Sequence, residues 1–278
     1  MNTFLHQITD LHIRQPGHLA YGRLDTAPYL KRAIQTIARC PQPPTAVVLT
    51  GDLTDFGQAA EYEHLRTLLD DLPCPYYLLV GNHDDAEQLR SAFPGHSYLG
   101  DSGPLQYSVP IGGLQLIALD TTVRGHSHGE LDATRLEWLA LELEAVSHRP
   151  VVVAMHHPPF DTLIGHMDRI GLLKGREELA RIITAHTHVE RVICGHLHRA
   201  IDVRFGGTIA STAPSPAHQL VLDMGPDALP NWNLEPGGVR VHAWTAATGV
   251  VTHTLPVGEF EGPYPFHMEG QSINRNAL

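Results

Sequence analysis

The sequence predicts an α/β fold. Fully apolar runs of strand length, such as residues 46–49 and 151–155, alternate with segments whose apolar residues recur every three or four positions. Nearly every apolar run stops at a short cluster of Gly, Asp, Asn or His. After residue 198 the helical spacing disappears, and short strand-like segments follow one another.

Residues 4–8 form the first expected strand, ending at Thr9-Asp10-Leu11-His12. Residues 15–22 are a loop with Pro16 and Gly17. Asp25 or Thr26 caps a helix with Pro28 in its first turn and Leu30, Ile34 and Ile37 on one face; Pro41, Pro43 and Pro44 end it. The strand at 46–49 runs into Thr50-Gly51-Asp52-Leu53-Thr54-Asp55. A helix over 59–72 buries Tyr62, Leu65, Leu68 and Leu69, and Pro73 and Pro75 break it. The strand at 76–80 ends in Gly81-Asn82-His83-Asp84, before a short helix over 85–93.

The strand at 114–119 ends in Asp120-Thr121, and a Gly/His-rich loop covers 124–130. A helix over 132–146 turns Leu136, Leu139 and Leu143 inward. The strand at 151–155 ends in His156-His157-Pro158-Pro159. A helix over 177–186 carries Leu179, Ile182 and Ile183, and the strand at 191–194 leads into Gly195-His196-Leu197-His198. The later strands, at 201–203, 208–211, 239–244 and 250–255, form a second sheet or extend the first. No repeat or linker divides the chain, so residues 1–278 read as one domain with a polar, Pro/Gly-rich tail at 259–278.

Composition narrows the function. Apolar content is 42% and charged content 18%, ordinary values for a globular protein. A net charge of −11 argues against a nucleic-acid partner, because phosphate-backbone binding needs clustered Lys and Arg. Cys40, Cys74 and Cys194 are too few for a disulfide framework and suit a reducing compartment. Only nine residues precede Asp10, and they read as strand rather than signal peptide. No apolar run approaches the roughly 18 residues of a membrane span. A cytoplasmic protein is the expectation.

Five strand ends carry candidate ligands: Asp10 with His12, Asp52, Asn82 with His83, His156, and His196 with His198. Ligands of α/β sheets bind outside the carboxyl ends of the strands. Imidazole is the commonest neutral metal ligand, so the set predicts two metal ions. Two divalent ions carry four positive charges, offset by Asp10, Asp52 and a hydroxide. The remaining charge of about +1 suits a phosphodiester monoanion. One carboxylate must bridge ions roughly 3.5–4 Å apart, and Asp52 is placed for it. Mixed N/O ligation points to Mn, Fe, Zn or Co rather than Mg or Ca.

Asp-x-His, Gly-Asp-x-x-Asp, Gly-Asn-His-Asp, a strand-end His and Gly-His-x-His, in this order, resemble the five motifs of the calcineurin-like metallophosphoesterases. The resemblance implies a four-layer α/β/β/α sandwich. It places one metal on Asp10, His12, Asp52 and His198, and the other on Asp52, Asn82, His156 and His196. It implies attack on phosphorus by a hydroxide held on the metals. His83 then contacts the phosphate or helps the leaving group, Asp84 orients His83, and Asp55 supports the metal loop. Asn82, His83 and His198 are expected to bind substrate; His83, Asn82 and Asp52 take part in the chemistry.

Within that family, Tyr21-Gly22, Met155-His156-His157-Pro158-Pro159, Met167-Asp168, Ser211-Thr212-Ala213-Pro214 and His218-Gln219 resemble the class III cyclic nucleotide phosphodiesterase group and its glycerophosphodiesterase branch. That likeness implies a small phosphodiester substrate, either a glycerophosphodiester or a 3′,5′-cyclic nucleotide such as cAMP. It also implies a homo-oligomer, although no cysteine pair obviously matches a disulfide of the branch's dimerising region. Arg14 and Tyr21 either reach the site or stay on an exposed loop. His166 and Asp168 either touch substrate or are solvated, and His218 is a further substrate candidate. His157 is not expected to be a ligand, because Pro158 turns the chain there. Trp138, Trp232 and Trp244 read as core or interface packing, not as a base-stacking platform.

Overall fold

The structure is a computed structural model describing residues 2–265. Its first half contains β1 (Thr3–Ile8), α1 (Ala27–Ala38), β2 (Ala46–Thr50), α2 (Ala59–Leu69), β3 (Tyr76–Leu79) and α3 (Ala86–Ala92). The middle contains β4 (Tyr107–Ile111), β5 (Leu114–Leu119), β6 (Gly129–Glu130), α4 (Ala133–Ala145), β7 (Val151–Met155), α5 (Gly165–Asp168), β8 (Leu172–Lys174), α6 (Arg176–Ala185) and β9 (Val189–Cys194). The last part is β-rich: β10 (Asp202–Phe205), β11 (Thr208–Thr212), β12 (Gln219–Leu220), β13 (Trp232–Asn233), β14 (Gly238–Thr245) and β15 (Gly249–Pro256).

Two sheets form the centre, ordered β15-β14-β1-β2-β3 and β10-β11-β9-β7-β5-β4. Alternation along the strands shows how they stack. In β5, Leu116 and Ala118 join the cluster built on Leu5, Leu49, Ile34 and Leu65, while Ile117 and Leu119 join Leu136, Leu139, Leu179 and Ile183. A strand shows its two faces to different layers. The second sheet therefore packs on the first with one face and on α4 and α6 with the other, and α1 and α2 cover the first. This is the expected α/β/β/α sandwich. Each buried Leu or Ile contributes about 1.5–3 kcal/mol.

The local signals are physical. Asp85 accepts from the backbone N–H of Glu87 and Gln88 to start α3, and Asp132 from that of Arg135 to start α4. Two expectations change. The strand β4 was not anticipated, because Pro110 interrupts its apolar pattern. It lies at the sheet edge, where a missing N–H is tolerated. Of the two readings of the late strands, extension holds for β14 and β15, while β10 and β11 extend the other sheet instead. β14 pairs antiparallel with β1, whereas β11 pairs parallel with β9. Residues 259–265 carry no helix or strand, and the rest of the expected tail lies outside the described residues. Among the described residues no helix is long and apolar enough to cross a membrane.

Candidate metal centre

β1, β2, β3, β7 and β9 end on one edge of the sandwich, and the segments that follow them converge. Asp10, His12, Asp52, His196 and His198 have φ of 54°, 46°, 49°, 71° and 48°. Left-handed backbone at a non-glycine residue costs on the order of 1–3 kcal/mol. Among the described residues only Tyr21 and Leu163 share it outside glycine. The reversal at each strand end turns both residues of Asp10-x-His12 and of His196-x-His198 into one cluster. The glycines of the motifs let the loops close. A Cβ on Gly81 would overlap the Asp52 carboxylate and the His156 ring, and a Cβ on Gly51 would overlap His156.

Hydrogen bonds fix which imidazole nitrogen faces inward. His156 Nδ1 donates to the Thr50 carbonyl at 2.8 Å, and His198 Nδ1 to the His218 carbonyl at 3.2 Å. His12 Nδ1 faces an Asp55 oxygen at 3.3 Å. In the neutral ring each Nε2 is then the bare nitrogen. His12 and His198 bring their Nε2 atoms within 3.2 Å of each other. His156 Nε2 lies 3.2 Å from Asn82 Oδ1 and 3.4 Å from Asp52 Oδ1. His196 Nε2 is buried with no partner among the described residues. Lone pairs this close repel unless positive charge lies among them, so the donor set fits divalent cations.

The carboxylates agree. Asp10 accepts the backbone N–H of His196 on both oxygens, at 3.1 and 3.0 Å, and Asp52 Oδ1 accepts that of His83 at 3.0 Å. Burial pushes the Asp10 carboxyl up to about 7. Burial acts on Asp52 in the same sense, but the neighbouring His156 and His83 hold it well below the ordinary carboxylate range. Burial opposes charge on His156, yet Asp52 and Asp10 raise it to about 9. His196, by contrast, falls to about 3 because burial dominates. Asp10, Asp52 and His156 offer ligand atoms within 4.8 Å of one another, as do His12, His198 and His218.

All eight residues singled out at the strand ends meet here. Asp52 spans the cluster: Oδ1 faces His156, and Oδ2 lies 3.8 Å from His12 Nε2. His83 donates from Nδ1 to the Asp55 carbonyl at 2.8 Å. The expected Asp84–His83 pair is not formed. Asp84 instead accepts from the N–H of Leu53, Thr54 and Gly81 and from the hydroxyls of Thr54 and Tyr62. It ties two loops together because its short side chain points back under the turn.

The remaining candidates separate. Tyr21 reaches the site, with its hydroxyl 3.2 Å from His218 Nε2. Arg14 turns away to Asp55 and Glu61. His218 is buried, its ring 4.5 Å from that of His198. Asp168 is held inside its own loop by Thr162 and Leu163. The His166 ring nitrogens find no partner among the described residues. His157 is buried beside His196, with Nδ1 at Thr121 Oγ1 and Nε2 at the Ser127 carbonyl, so both nitrogens are engaged. Trp232 departs from the core reading and from the expectation of no base-stacking ring: it is half-buried beside the site, 5.7 Å from the Tyr21 ring and 5.4 Å from His218. No local pattern marks it, since the hairpin of β12 and β13 brings it there. The three cysteines are free.

The calcineurin-like phosphoesterase family matches residues 5–200. A probable glycerophosphodiester phosphodiesterase of Arcobacter nitrofigilis is 37% identical over 263 residues, covering 95% of this chain and 96% of that protein. A cAMP/cGMP dual specificity phosphodiesterase of Mycobacterium tuberculosis is 30% identical over 274 residues, covering 97% of this chain and 84% of that one. A dimetal phosphatase from Danio rerio superposes with a TM-score of 0.63 at 15% identity, covering 92% of this chain and 99% of that chain, a likeness of fold alone.

Proposed function

The chain belongs to the calcineurin-like phosphoesterase family, and from that premise we propose that it hydrolyses small glycerophosphodiesters at a centre of two divalent transition metal ions. The apposed bare nitrogens of His12 and His198 are the observation that carries the metal centre. Asp10, His12, Asp52 and His198 would hold one ion, and Asp52, Asn82, His156 and His196 the other. Mn, Fe, Zn and Co all suit this mixture of nitrogen and oxygen donors. When bound, the ions supply Lewis-acid polarisation of phosphoryl oxygens and bring the pKa of a water toward about 7.

The chain's own residues do the rest. Asp52 presents one oxygen to each half of the cluster. His83 has Nδ1 committed to the Asp55 carbonyl, which leaves Nε2 to hydrogen-bond the phosphate or protonate the departing alkoxide. Asn82 and His198 line the same face and touch the phosphate. Among the described residues no guanidinium joins the cluster, since Arg14 is engaged by Asp55 and Glu61. A singly charged diester is therefore favoured over a doubly charged monoester.

The Arcobacter relative, 37% identical across nearly the whole chain, supports the glycerophosphodiester arm. The second reading is a cyclic nucleotide phosphodiesterase. The Mycobacterium relative, the exposed ring of Tyr21 and the half-buried ring of Trp232, able to stack a base, favour it. We further take residues 1–278 as one domain working in the cytoplasm as a homo-oligomer, with neither nucleic acid nor membrane as partner. Leu222, Met224, Leu229 and Leu234, exposed around the β12–β13 hairpin, support self-association. The metal-free protein reconstituted with Mn should turn over glycerophosphoethanolamine faster than 3′,5′-cyclic AMP in one assay. The reverse order would move the assignment to nucleotide signalling.

A further inference from the structure

Behind the cluster lies a chain of buried charges that the reaction does not use directly. Asp55, on the loop after β2, is 4% exposed and places Oδ1 3.3 Å from His12 Nδ1 and 3.8 Å from His83 Nδ1. Its other oxygen lies 3.6 Å from Arg14 Nη1. The same Arg14 nitrogen is 3.1 Å from Glu61 Oε1, on a side chain with no exposure, a charge-to-charge contact without hydrogen-bond alignment. Glu61 is fixed in turn, because its Oε2 accepts the N–H of Phe56 and of Gln58 at the start of α2. Arg14 is held from two further sides. Its guanidinium carbon stacks 4.2 Å from the Phe56 ring centre, and its carbonyl meets His64 Nδ1 at 2.7 Å.

We propose that Arg14 is a positioning residue: with Glu61 it holds Asp55 beside His12 and His83, so that this one residue orients a candidate metal ligand through its carboxylate and the candidate proton donor through its backbone carbonyl. The direction of His12 follows from this contact. Its Nδ1 faces Asp55 and its Nε2 faces Asp52 and His198. A carboxylate on the far nitrogen of a metal-facing imidazole fixes the tautomer and ring orientation, and losing such a partner typically costs about 10–100-fold in metal affinity or activity. His83 is held by the backbone carbonyl of the same residue. Removing Arg14 leaves Asp55 and Glu61, two buried carboxylates, with no guanidinium or ammonium among the groups described here to separate them. Asp55 must then shift, and His12 and His83 shift with it. Among the described residues no carboxylate plays this part behind His156, whose Nδ1 is held by a neutral carbonyl.

The inference rests on the two-ion reading of the site but not on the choice of substrate. It is tested on the full-length metal-free protein by calorimetric titration with Mn, comparing wild type, Arg14→Met and Arg14→Lys. Arg14→Met keeps much of the packing stem and removes the charge. One of the two binding steps should weaken about 10–100-fold, with the other within about threefold, and Arg14→Lys should recover part of the loss. On diesters of graded leaving-group pKa, Arg14→Met should also steepen the dependence of kcat on that pKa, because His83 is misplaced. Unchanged binding steps would overturn the proposal. Equal weakening of both, with a lower unfolding temperature of the metal-free protein, would overturn it too, since that marks general loosening. Should Arg14→Met not fold, Glu61→Gln with Arg14→Lys carries the same comparison. A wild-type protein that binds only one Mn would sink the two-ion reading itself, an outcome distinct from these.

Discussion

The two sheets contribute different chemistry to the centre. The first, through the ends of β1, β2 and β3, supplies both carboxylates, the amide of Asn82, and His12 and His83. The second, through β7 and β9, supplies only the imidazoles of His156, His196 and His198. Neither edge holds a complete set. Hydrogen bonds cross the gap, among them His156 Nδ1 to the Thr50 carbonyl, the His196 N–H to Asp10, the Ser215 hydroxyl to the Asp10 carbonyl, and Gln7 Nε2 to the Cys194 carbonyl. Ligand spacing is thus set by how the sheets dock, and charge is set by the first sheet alone.

Removing a carboxylate should therefore cost more than removing an imidazole. Asp52→Asn deletes the charge that faces both halves. After desalting it should retain at most one metal per chain, and kcat/KM should fall by roughly 10³-fold or more, as expected for losing several kcal/mol of charge stabilisation. Elemental analysis and a diester assay on His196→Ala, which removes one neutral donor, set the scale. If Asp52→Asn keeps two metals and near wild-type turnover, the division of labour between the sheets fails.

The clamp between the sheets is the next place to press. Gln7 donates to Thr50 Oγ1 at 2.9 Å and to the Cys194 carbonyl at 2.8 Å, and its Oε1 faces His242 Nε2 at 3.1 Å. Gln7→Leu is close in size but leaves buried polar partners unpaired. It should destabilise the metal-free protein by about 1–3 kcal/mol, or on the order of several degrees in Tm for a domain of this size. Metal affinity should fall with it, because the edge spacing relaxes. A loss of stability with both metal-binding steps unchanged would separate docking from site geometry.

Much of this is legible in the sequence. The strand ends, the eight converging residues and the late switch to strands follow from periodicity and from where Gly, Asp, Asn and His interrupt it. What was not legible depends on tertiary direction. Asp84 stands beside His83 in sequence, yet its side chain turns to the backbone of the neighbouring loop. Arg14 follows His12 by two residues and faces the opposite way, toward a glutamate on α2. Trp232 has no local mark, because only the hairpin places it against Tyr21. The late strands did not reveal which sheet each would join, since alternation fixes the faces of a strand but not its neighbours. Pro110 hid β4 for a reason that holds for any edge strand.

The two faces of β1 give the smallest effect at neutral pH. Gln7 points toward the second sheet and is fully paired, while His6 points the other way. His6 has no exposure, and neither ring nitrogen has a partner among the described residues. Burial brings its pKa down from 6.5 to about 4. A group whose folded pKa lies below its unfolded value leaves the unfolded chain binding more protons in between, and stability then rises with pH across that window. The His6 contribution is whole above about pH 6.5 and is lost progressively as pH falls toward about 4. Denaturant unfolding of metal-free wild type and His6→Leu at pH 7.5, 6 and 5 isolates it from the other buried histidines. The wild type should lose stability relative to the variant on going from pH 7.5 to 5. A gap constant with pH would mean that His6 finds a proton acceptor in solution, and that this face of β1 is as well paired as the face that clamps the sheets.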